Sequence, residues 1–264
     1  MAWEMLLTGV VRRVHVNDLS RPIYAFWRSV LERTDELAKL IRDTPLDIAT
    51  WECMKRTFAN PNDADDLKLG FAMFYLNRTN RSGILNAGPI GGKAQTGAWG
   101  MDARFNRAEL VSRIERIAQL RRRVTLTNMD ATALLETYKP AWSPKTLVYL
   151  DPPYFAKGPE LYYNFYKSDD HAGVATAVRQ LKGVPWIVSY DDVTAIHDLY
   201  SSESWLQYQI GYSARRCIQG REAMFFSAGL KIPQVQGSMI EVDRWSQQPE
   251  EPYRAPASTL VEQP

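Results

Sequence analysis

The sequence contains little cysteine and little histidine: Cys53, Cys217 and three scattered histidines among 264 residues. Ligands this few and this scattered do not form a disulfide framework or a four-ligand metal site. No run approaches the eighteen apolar residues of a membrane-spanning helix. The first residues, MAWEMLLTGVVRRVHVND, lack the basic start and the small-residue cleavage site of a signal peptide. We therefore expect a soluble cytoplasmic protein without a structural metal.

Short apolar strands alternate with amphipathic helices, which predicts an α/β fold with a mostly parallel sheet. The predicted strands cover 12–16, 124–128, 146–150, 186–190, 205–212 and 222–227. The predicted helices begin after Ser20, cover 45–60, 64–77 and 106–119, follow Asp130, and cover 170–181 and 193–200. Ser20 and Asp63 are the expected N-caps of the first and third of these helices. Functional groups are expected where the parallel strands end.

Positive charge is concentrated between Arg78 and Arg123, where ten basic and three acidic residues occur in a chain of total charge +2. A basic block on an otherwise acidic protein is typical of contact with a phosphate backbone. A solvated helix face explains the block as well, because Glu109 and Arg113 are spaced for a helix-surface ion pair. The charge pattern leaves both interpretations open.

Residues 80–100 contain six of the fifteen glycines and show neither helical nor strand periodicity. Long irregular segments within compact domains are usually functional. We therefore expect a functional loop in the middle of the basic block.

The segment LVYLDPPY, residues 147–154, leads from an apolar strand directly into Asp151, two prolines and Tyr154. In the simplest interpretation, the two prolines only end the strand. That interpretation leaves unexplained why a carboxylate and an aromatic ring flank the prolines at the edge where α/β sheets bind ligands.

Methyl transfer to a conjugated amine needs such an arrangement. The lone pair of adenine's exocyclic nitrogen is delocalised into the ring, so this nitrogen is a poor nucleophile. The Asp151 carboxylate and the Pro152 carbonyl can each accept one N–H bond and favour a pyramidal nitrogen, while the ring of Tyr154 can stack on the base. Catalysis of this kind depends on positioning and electrostatics and forms no covalent intermediate.

The sequence from His15 to Pro233 resembles the Dam-type DNA adenine-N6 methyltransferases. The similar segments are VHVNDLSRPIYAFW, FYLNRTNRSGIL, DPPYFAKGPELYYNFY, WIVSYDD and GREAMFFSAGL. The resemblance implies a Rossmann-like methyltransferase sheet with helices on both faces and an inserted, mainly helical and loop target-recognition lobe. It also implies S-adenosylmethionine as the methyl donor and double-stranded DNA with a specific adenine site as the substrate. A cognate restriction enzyme is the implied partner, and association with a membrane is not expected.

The resemblance implies roles for individual residues. Asp151, Pro152 and Tyr154 take the catalytic roles described above, acting on a flipped adenine. Asp18 stands in the place of the family's acidic residue that binds the cofactor's ribose, Asp130 lies near the cofactor's adenine, and Asp151 also borders the cofactor. From the residues alone, an aspartate in the position of Asp18 is more often a helix cap, by about two to one, and a cap explains Asp130 as well as a cofactor contact does.

Two further groups of residues are candidates. Residues 189–191 (Ser, Tyr, Asp) end a predicted strand and either line the pocket or serve packing alone. Arg and Asn side chains can contact guanine and adenine edges, and Lys93 and Arg104 suit phosphates. Each of these is alternatively an ordinary surface residue. The candidate DNA contacts are Asn77, Arg78, Arg81, Ser82, Lys93 and Arg104.

The predicted organisation has three parts. Residues 1–44 and 122–232 form the methyltransferase core, and residues 45–121 form the target-recognition lobe. Residues 233–264 are rich in Pro, Gln and Glu and are expected to be a mostly disordered tail.

The residues before Arg12 do not resemble the strand and glycine-rich turn with which Dam-type enzymes hold the cofactor. MAWEMLL is similar instead to the last turns of the helix that follows that turn. One hypothesis is therefore an enzyme whose reading frame starts about forty residues upstream. A second is a truncated, catalytically inactive DNA-binding remnant. A third, methylation of RNA or of an amide-like nitrogen, is disfavoured because a large basic lobe precedes DPPY.

Overall fold

A computed structural model describes residues 1–155, 166–210, 220–232, 234–235 and 239–247. The chain divides into two compact units, Met1–Leu134 and Leu135–Pro264. Cys217 and the segment 156–165 that follows DPPY lie outside the described residues. Within the described ranges, no helix combines the length and the apolar character needed to cross a membrane.

The helices are α1 Ala2–Leu7, α2 Arg21–Glu32, α3 Thr34–Asp43, α4 Ile48–Ala59, α5 Asp66–Thr79, α6 Arg107–Ala118, α7 Ala131–Tyr138, α8 Ser168–Arg179 and α9 Thr194–Leu199. The strands are β1 Val14–Asn17, β2 Val124–Thr127, β3 Val148–Leu150, β4 Trp186–Asp191, β5 Ser204–Ile210, β6 Arg221–Phe226 and β7 Met239–Trp245. Short 3-10 turns cover Arg81–Gly83, Met101–Arg104, Arg121–Arg123 and Lys139–Ala141. The α/β class predicted from the sequence is confirmed.

The core of the first unit is formed by helices α2, α3, α5 and α6. Their apolar faces meet in one buried cluster, in which the rings of Phe26 and Phe74 stack with centroids 5.3 Å apart. Gly70 allows α5 to cross α2 closely, because a Cβ at this position would lie 2.5 Å from the backbone nitrogen of Phe26. The crossing anchors the end of α5, where the glycine-rich loop begins, in a rigid helical core.

Strands β1 and β2 pair in parallel in the first unit, with Val14 opposite Val124 and Asn17 opposite Thr127. Their carboxyl ends therefore lie side by side, and the backbone N–H of Asp18 extends the pairing by donating to the carbonyl of Thr127. Asp18 and Asp130 both follow this pair of strand ends.

The second unit contains a five-stranded sheet in the order β3-β4-β6-β5-β7. Only β3 and β4 pair in parallel, whereas β4 with β6, β6 with β5 and β5 with β7 are antiparallel. The prediction of a mostly parallel sheet is therefore wrong for this unit. The reason lies partly in chain length, because the ten residues between β5 and β6 are too few for the crossover that parallel neighbours require.

The two faces of this sheet differ in chemistry. One face packs against α8 and the end of α9 through aromatic contacts, among them Tyr190 with His171 and Phe225 with Tyr200. The strand registers and the two-residue alternation place a set of polar side chains together on the other face. This set comprises Tyr149, Asp151, Ser189, Asp191, Tyr208 and Glu222.

Several local predictions need correction. Asp65, rather than Asp63, caps α5, because it directly precedes the first helical residue and accepts a bond from the Lys68 N–H at 3.0 Å. Ser20 does occupy the N-cap position of α2, but its side chain makes no capping bond. Helix α3 was not predicted, since a single residue, Arg33, separates it from α2. The other predicted helices and strands are present, with ends that differ by three residues or fewer.

The predicted tail is partly ordered. Met239–Trp245 forms β7 and pairs with β5, although the composition of this segment predicts disorder. Apolar residues alternate with charged ones along MIEVDRW, and this pattern suits an edge strand despite the polar composition of the flanking sequence. The other residues of 233–264, apart from 234–235 and 246–247, lie outside the described residues.

Candidate active site

Asp151 follows β3 directly, and the parallel register of β3 with β4 places it next to Ser189. Leu150 is opposite Val188, so Asp151 and Ser189, the residues that follow them, are also opposite each other and on the same face of the sheet. The Ser189 hydroxyl donates to Oδ1 of Asp151 over 2.7 Å. Ser189 itself is buried, whereas Asp151 is accessible at the strand end. One carboxylate oxygen is therefore held in place while the side chain remains reachable.

A second hydroxyl extends this contact. The phenol oxygen of Tyr149 lies 2.8 Å from the hydroxyl oxygen of Ser189. Since Ser189 uses its single proton on Asp151, Tyr149 donates its own proton to Ser189. The result is a chain of hydrogen bonds, Tyr149 to Ser189 to Asp151, that fixes the orientation of the carboxylate.

The pKa of the Asp151 carboxyl lies above its ordinary value. Loss of hydration among the surrounding protein atoms is the main cause, the hydrogen bond from Ser189 opposes it, and the nearby negative charge of Glu222 adds to it. A carboxylate with reduced hydration is a stronger hydrogen-bond acceptor for a ligand than one in open water.

Pro152 is buried directly beyond Asp151. Within the described part of the chain, no N–H or O–H donates to its carbonyl oxygen. The ring of Pro152 fixes its φ and the following Pro153 restricts its ψ, so the two prolines together limit the direction of this carbonyl. Two acceptors on consecutive residues, the Asp151 carboxylate and the Pro152 carbonyl, are thus both held by their surroundings.

Tyr154 is anchored by Glu222 of β6. The Tyr154 hydroxyl donates to Oε1 of Glu222 at 2.8 Å, and Tyr208 donates to Oε2 at 2.6 Å. Burial and the bond to Glu222 both raise the pKa of Tyr208, which keeps its phenol protonated and donating. Each tyrosine binds one oxygen of the carboxylate, and the carboxylate in turn fixes the Tyr154 ring.

Asp191 supports the same segment through the backbone. Its Oδ1 accepts the N–H of Phe155 at 2.7 Å, and its side chain is buried. Tyr190, between Ser189 and Asp191, belongs to the opposite face of the sheet and has its hydroxyl 3.1 Å from Nδ1 of His171. Of the three residues that end β4, Ser189 therefore contacts DPPY at Asp151, Asp191 contacts the next residue, Phe155, and Tyr190 packs under the helices.

Asp18 and Asp130 lie at the paired strand ends of the first unit and differ in how their carboxylates are used. Asp130 accepts from the Thr132 hydroxyl at 2.5 Å and from the Thr132 N–H at 2.8 Å. Burial opposes ionisation of Asp130, but these bonds and the N–H groups of Ala133 and Ala131 outweigh it, so its pKa is lowered. Asp130 therefore caps α7, as the alternative interpretation of the sequence proposed.

Asp18 accepts fewer bonds than Asp130, although each of the two uses only its Oδ1. Its Oδ1 accepts the Ser20 N–H at 2.8 Å, and no described residue donates to its Oδ2. Burial raises the pKa of Asp18 and the Ser20 bond partly offsets this effect. Asn128 donates to the carbonyls of Asp18 and Leu19, which ties the two strand ends together.

Several predicted DNA contacts bind the protein's own backbone. Arg78 directs Nε and Nη2 at the carbonyl of Arg104, at 2.8 and 2.6 Å. Asn77 donates to the carbonyl of Gly83 at 3.0 Å, and Arg104 reaches the carbonyl of Asn80 at 3.5 Å. Lys93 pairs with Glu52 at 3.0 Å. These four side chains fold the glycine-rich loop back onto the helical core.

Arg81 and Ser82 stand apart from that group. Both are exposed, and no described residue forms an ion pair with Arg81. Ser82 adopts φ 55°, a left-handed conformation that non-glycine residues rarely adopt. Both belong to the 3-10 turn Arg81–Gly83, at the start of a loop whose two ends are joined by the bond from the Arg81 N–H to the carbonyl of Gly88.

Sequence reasoning did not identify Glu222 or Tyr149. Both lie on strands that the sequence predicts, but their place beside Tyr154 and Ser189 depends on the order and register of β3, β4 and β6. The spacing along the chain gives no indication of either contact. In the described residues, no group of three or more Asp, Glu, His and Cys side chains is arranged to hold a metal ion.

Residues 6–213 match the family of D12 class N6 adenine-specific DNA methyltransferases. Because the match covers most of the chain, including both the Asp18 and the Asp151 strand ends, the chain belongs to this family. The resemblance noted from the sequence motifs is thereby confirmed, and DNA adenine methylation is the activity of the family. No curated protein matches the chain.

Proposed function

We propose that this chain is a DNA methyltransferase that transfers the methyl group of S-adenosylmethionine to the exocyclic nitrogen of an adenine flipped out of duplex DNA. The observation that carries the proposal is the pair of oriented acceptors at the end of β3. Ser189 holds one oxygen of Asp151 and leaves the other for a ligand, and the fixed carbonyl of Pro152 follows immediately. These acceptors match the two N–H groups of one adenine amine.

The residues of the site promote reaction by orienting the amine. When Asp151 and Pro152 each accept one N–H bond, the nitrogen is drawn toward a pyramidal geometry and its lone pair leaves conjugation with the ring. The Tyr154 ring, fixed through Glu222, offers a face on which the base stacks. After methyl transfer the nitrogen carries one surplus proton, which passes to Asp151 or to water. No residue forms a covalent bond to the substrate.

The chemistry of the donor set at the β1 strand end fits the cofactor. Asp18 has an oxygen to which no described residue donates, and a carboxylate at a strand end is the group that accepts ribose hydroxyls in dinucleotide-binding folds. Asp130 is less suited to this task because three donors from Thr132 and Ala133 fix its Oδ1 as the cap of α7, although its Oδ2 also accepts no bond from a described residue. S-adenosylmethionine supplies the electrophilic methyl group when bound, and Asp18 would hold its ribose.

The DNA side of the proposal rests on the family and on the exposed turn. Arg81 and Ser82 present an exposed arginine fork and a hydroxyl at the start of the glycine-rich loop within the proposed recognition lobe, residues 45–121. Arg78, Asn77, Lys93 and Arg104 would support this loop rather than contact bases. The motif resemblance further supports a role in site-specific modification alongside a cognate restriction enzyme.

Mass spectrometry of treated DNA tests the proposal. The purified chain is incubated with S-adenosylmethionine and mixed-sequence duplex DNA, and N6-methyladenine is quantified after digestion. We expect methylation with the wild-type chain and about a hundredfold loss or more with Asp151→Asn, which removes the charge of an acceptor aimed at the reacting amine. DNA binding should change by no more than a few-fold.

Asp198→Asn is the matched control, because Asp198 is exposed in the same unit and outside the site. Equal activity of the Asp151 and Asp198 variants would refute the assignment. Absence of methylation by the wild-type chain, together with absence of S-adenosylmethionine binding in calorimetry, would refute the proposed activity.

A further inference from the structure

Five arginines meet where β1 and β2 begin. Because these strands are parallel with Val14 opposite Val124, the residues that precede them also lie side by side. The contact is direct, since Arg123 donates from Nε to the carbonyl of Arg12 at 2.7 Å and from Nη2 to the carbonyl of Val11 at 2.8 Å. The cluster, called the arginine edge below, comprises Arg12, Arg13, Arg121, Arg122 and Arg123.

The charges of the arginine edge are not neutralised by the protein. Four of its five residues are exposed, and Arg123 is half-buried. No carboxylate of the described residues lies within 4.0 Å of any of the five guanidinium groups. Most other basic residues of the block predicted to contact DNA have internal partners, such as Arg107 on the carbonyls of Ile41 and Thr44.

A structural role explains only part of this cluster. The Arg123 side chain joins the two segments through its bonds to the carbonyls of Arg12 and Val11. Arg121 follows α6 closely enough to complement the negative end of that helix. Neither effect involves the side chains of Arg12, Arg13 or Arg122, since Arg12 contributes only its carbonyl. Placing them together brings like charges close without compensation, which is costly unless an anionic partner binds.

The arginine edge lies at the opposite end of the strand pair from Asp18 and Asp130. Each strand has four residues, so the two ends are separated by about 13 Å at the usual rise per residue. A partner bound at this edge is therefore remote from the proposed ribose contact. It is suited to strengthen binding without taking part in the reaction.

We propose that the arginine edge binds the phosphate backbone of duplex DNA outside the methylated site. The proposal rests on the proposed function, which makes DNA the substrate. Arginine forks bind phosphate oxygens in pairs, and the edge is built from arginine alone. A membrane surface is disfavoured because a segment that lies in the membrane interface needs several exposed apolar side chains. Among the described residues next to the arginine edge, Val10 is the one large apolar residue that is exposed.

Salt-dependent binding tests this surface. The variant Arg12→Ala/Arg13→Ala/Arg121→Ala/Arg122→Ala retains Arg123 and its backbone bonds. Its matched control is Lys39→Ala/Lys145→Ala/Lys182→Ala/Lys231→Ala, which removes the same charge from exposed positions outside the proposed recognition lobe. The dissociation constant for a fluorescent mixed-sequence duplex is measured over a series of KCl concentrations, and thermal unfolding checks that each variant is folded.

We expect the arginine variant to bind about tenfold more weakly, or weaker still, at low salt. The slope of log affinity against log salt should fall by about 0.9 for each phosphate that the variant no longer neutralises, while the lysine control changes little. Replacing the same four arginines by lysine should retain most of the slope, because the charges remain. Equal effects of the arginine and lysine-to-alanine variants, or no effect of either, would overturn the proposal.

Two further outcomes are informative. Loss of binding to phosphatidylserine vesicles with unchanged DNA binding would replace DNA by a membrane as the partner and overturn the proposal. The binding assay needs no turnover, so a wild-type chain that fails to methylate DNA refutes the proposed function and leaves this measurement valid. A wild-type chain that methylates DNA, with an unchanged salt slope in the arginine variant, refutes the arginine edge alone.

Discussion

Two polar regions of this protein use their side chains in opposite ways. In the segment Asp151–Phe155, neighbouring strands supply the partners that hold each group, and the oxygens suited to a ligand remain available. In the glycine-rich loop and its flanks, side chains suited to reading DNA bind the loop's own carbonyls instead. In the first region, side chains of other strands hold the segment in place. In the second, the loop and its flanks are held by their own side chains.

The difference has a physical cause. A loop of residues 80–100 has few backbone partners of the kind that sheets and helices provide, so its carbonyls must be satisfied by side chains. Arginine and asparagine are the residues best able to do this, and they are also the residues best able to contact bases. Residue type alone does not separate these two uses. At a strand end, by contrast, the sheet already satisfies the backbone.

Among the residues that hold the Asp151–Phe155 segment in place, the largest effect is expected for Ser189→Ala. Loss of a hydrogen bond to a charged group should lower the rate of methylation about tenfold or more. This bond also lowers the pKa of Asp151, so its removal raises that pKa further above the ordinary value. Asp151 must be ionised to accept fully, and the acid limb of the rate profile should therefore move to higher pH. Initial rates measured across the acid range check both effects.

Tyr149→Phe serves as the graded control for Ser189. It removes the hydroxyl that donates to Ser189 but leaves the bond between Ser189 and Asp151 in place. A smaller shift in the same direction is expected. An acid limb that stays in place in the Ser189 variant would show that the serine contributes packing and does not orient the carboxylate.

A somewhat smaller effect, up to about tenfold in rate, is expected for Glu222→Gln. Its acid limb should move the opposite way, to lower pH, because the charge of Glu222 raises the pKa of Asp151. If Glu222 acts by holding Tyr154, then Tyr154→Phe should give a similar loss of rate. The double variant should be little worse than either single one.

Tyr208→Phe is the control for this cycle, since it removes the other donor to Glu222 without touching Tyr154. It should lower stability more than it lowers rate. Fully additive losses in the Glu222 and Tyr154 variants would mean that the two residues act independently, and the anchoring of Tyr154 would be rejected.

The sequence predicted the chemistry of the strand ends better than their support. Asp151, Pro152 and Tyr154 are adjacent in the chain, so one motif contains them all. Ser189 and Glu222 are 38 and 68 residues away from their partners, and their contacts depend on strand order. The fold prediction failed on strand direction, since β5, β6 and β7 are antiparallel additions to a sheet that was predicted to be mostly parallel.

Hydrophobic periodicity predicted most helices and strands because burial of one face is a local pattern. It did not separate α2 from α3, whose boundary is a single arginine. It also gave no information on which polar side chains the loop would use for itself. For Arg78 the charge of the block suggested DNA, but the guanidinium is already bound to the carbonyl of Arg104.

The smallest effects are expected for Arg78, at the end of α5, and Arg81, at the start of the loop. This pair also separates most sharply an arginine that supports the loop from one that contacts DNA. Arg78→Ala leaves the Arg104 carbonyl without its two donors and should cost about 1–3 kcal/mol in the free energy of unfolding. Arg81→Ala removes an exposed side chain, so stability should change by less than about 0.5 kcal/mol. Its DNA affinity and site preference should change instead.

Thermal or urea unfolding and DNA binding are measured on both variants. Because Arg78 acts through the loop, its variant should lose binding only to the extent that the loop loosens, and Arg78→Lys should not rescue it, since lysine cannot place two donors on one carbonyl. Arg81→Lys should restore the phosphate attraction but not a bidentate contact with a base. If Arg78→Ala instead altered site preference at unchanged stability, the arginine would contact DNA directly, and the loop would be no more self-supporting than the site beside β3.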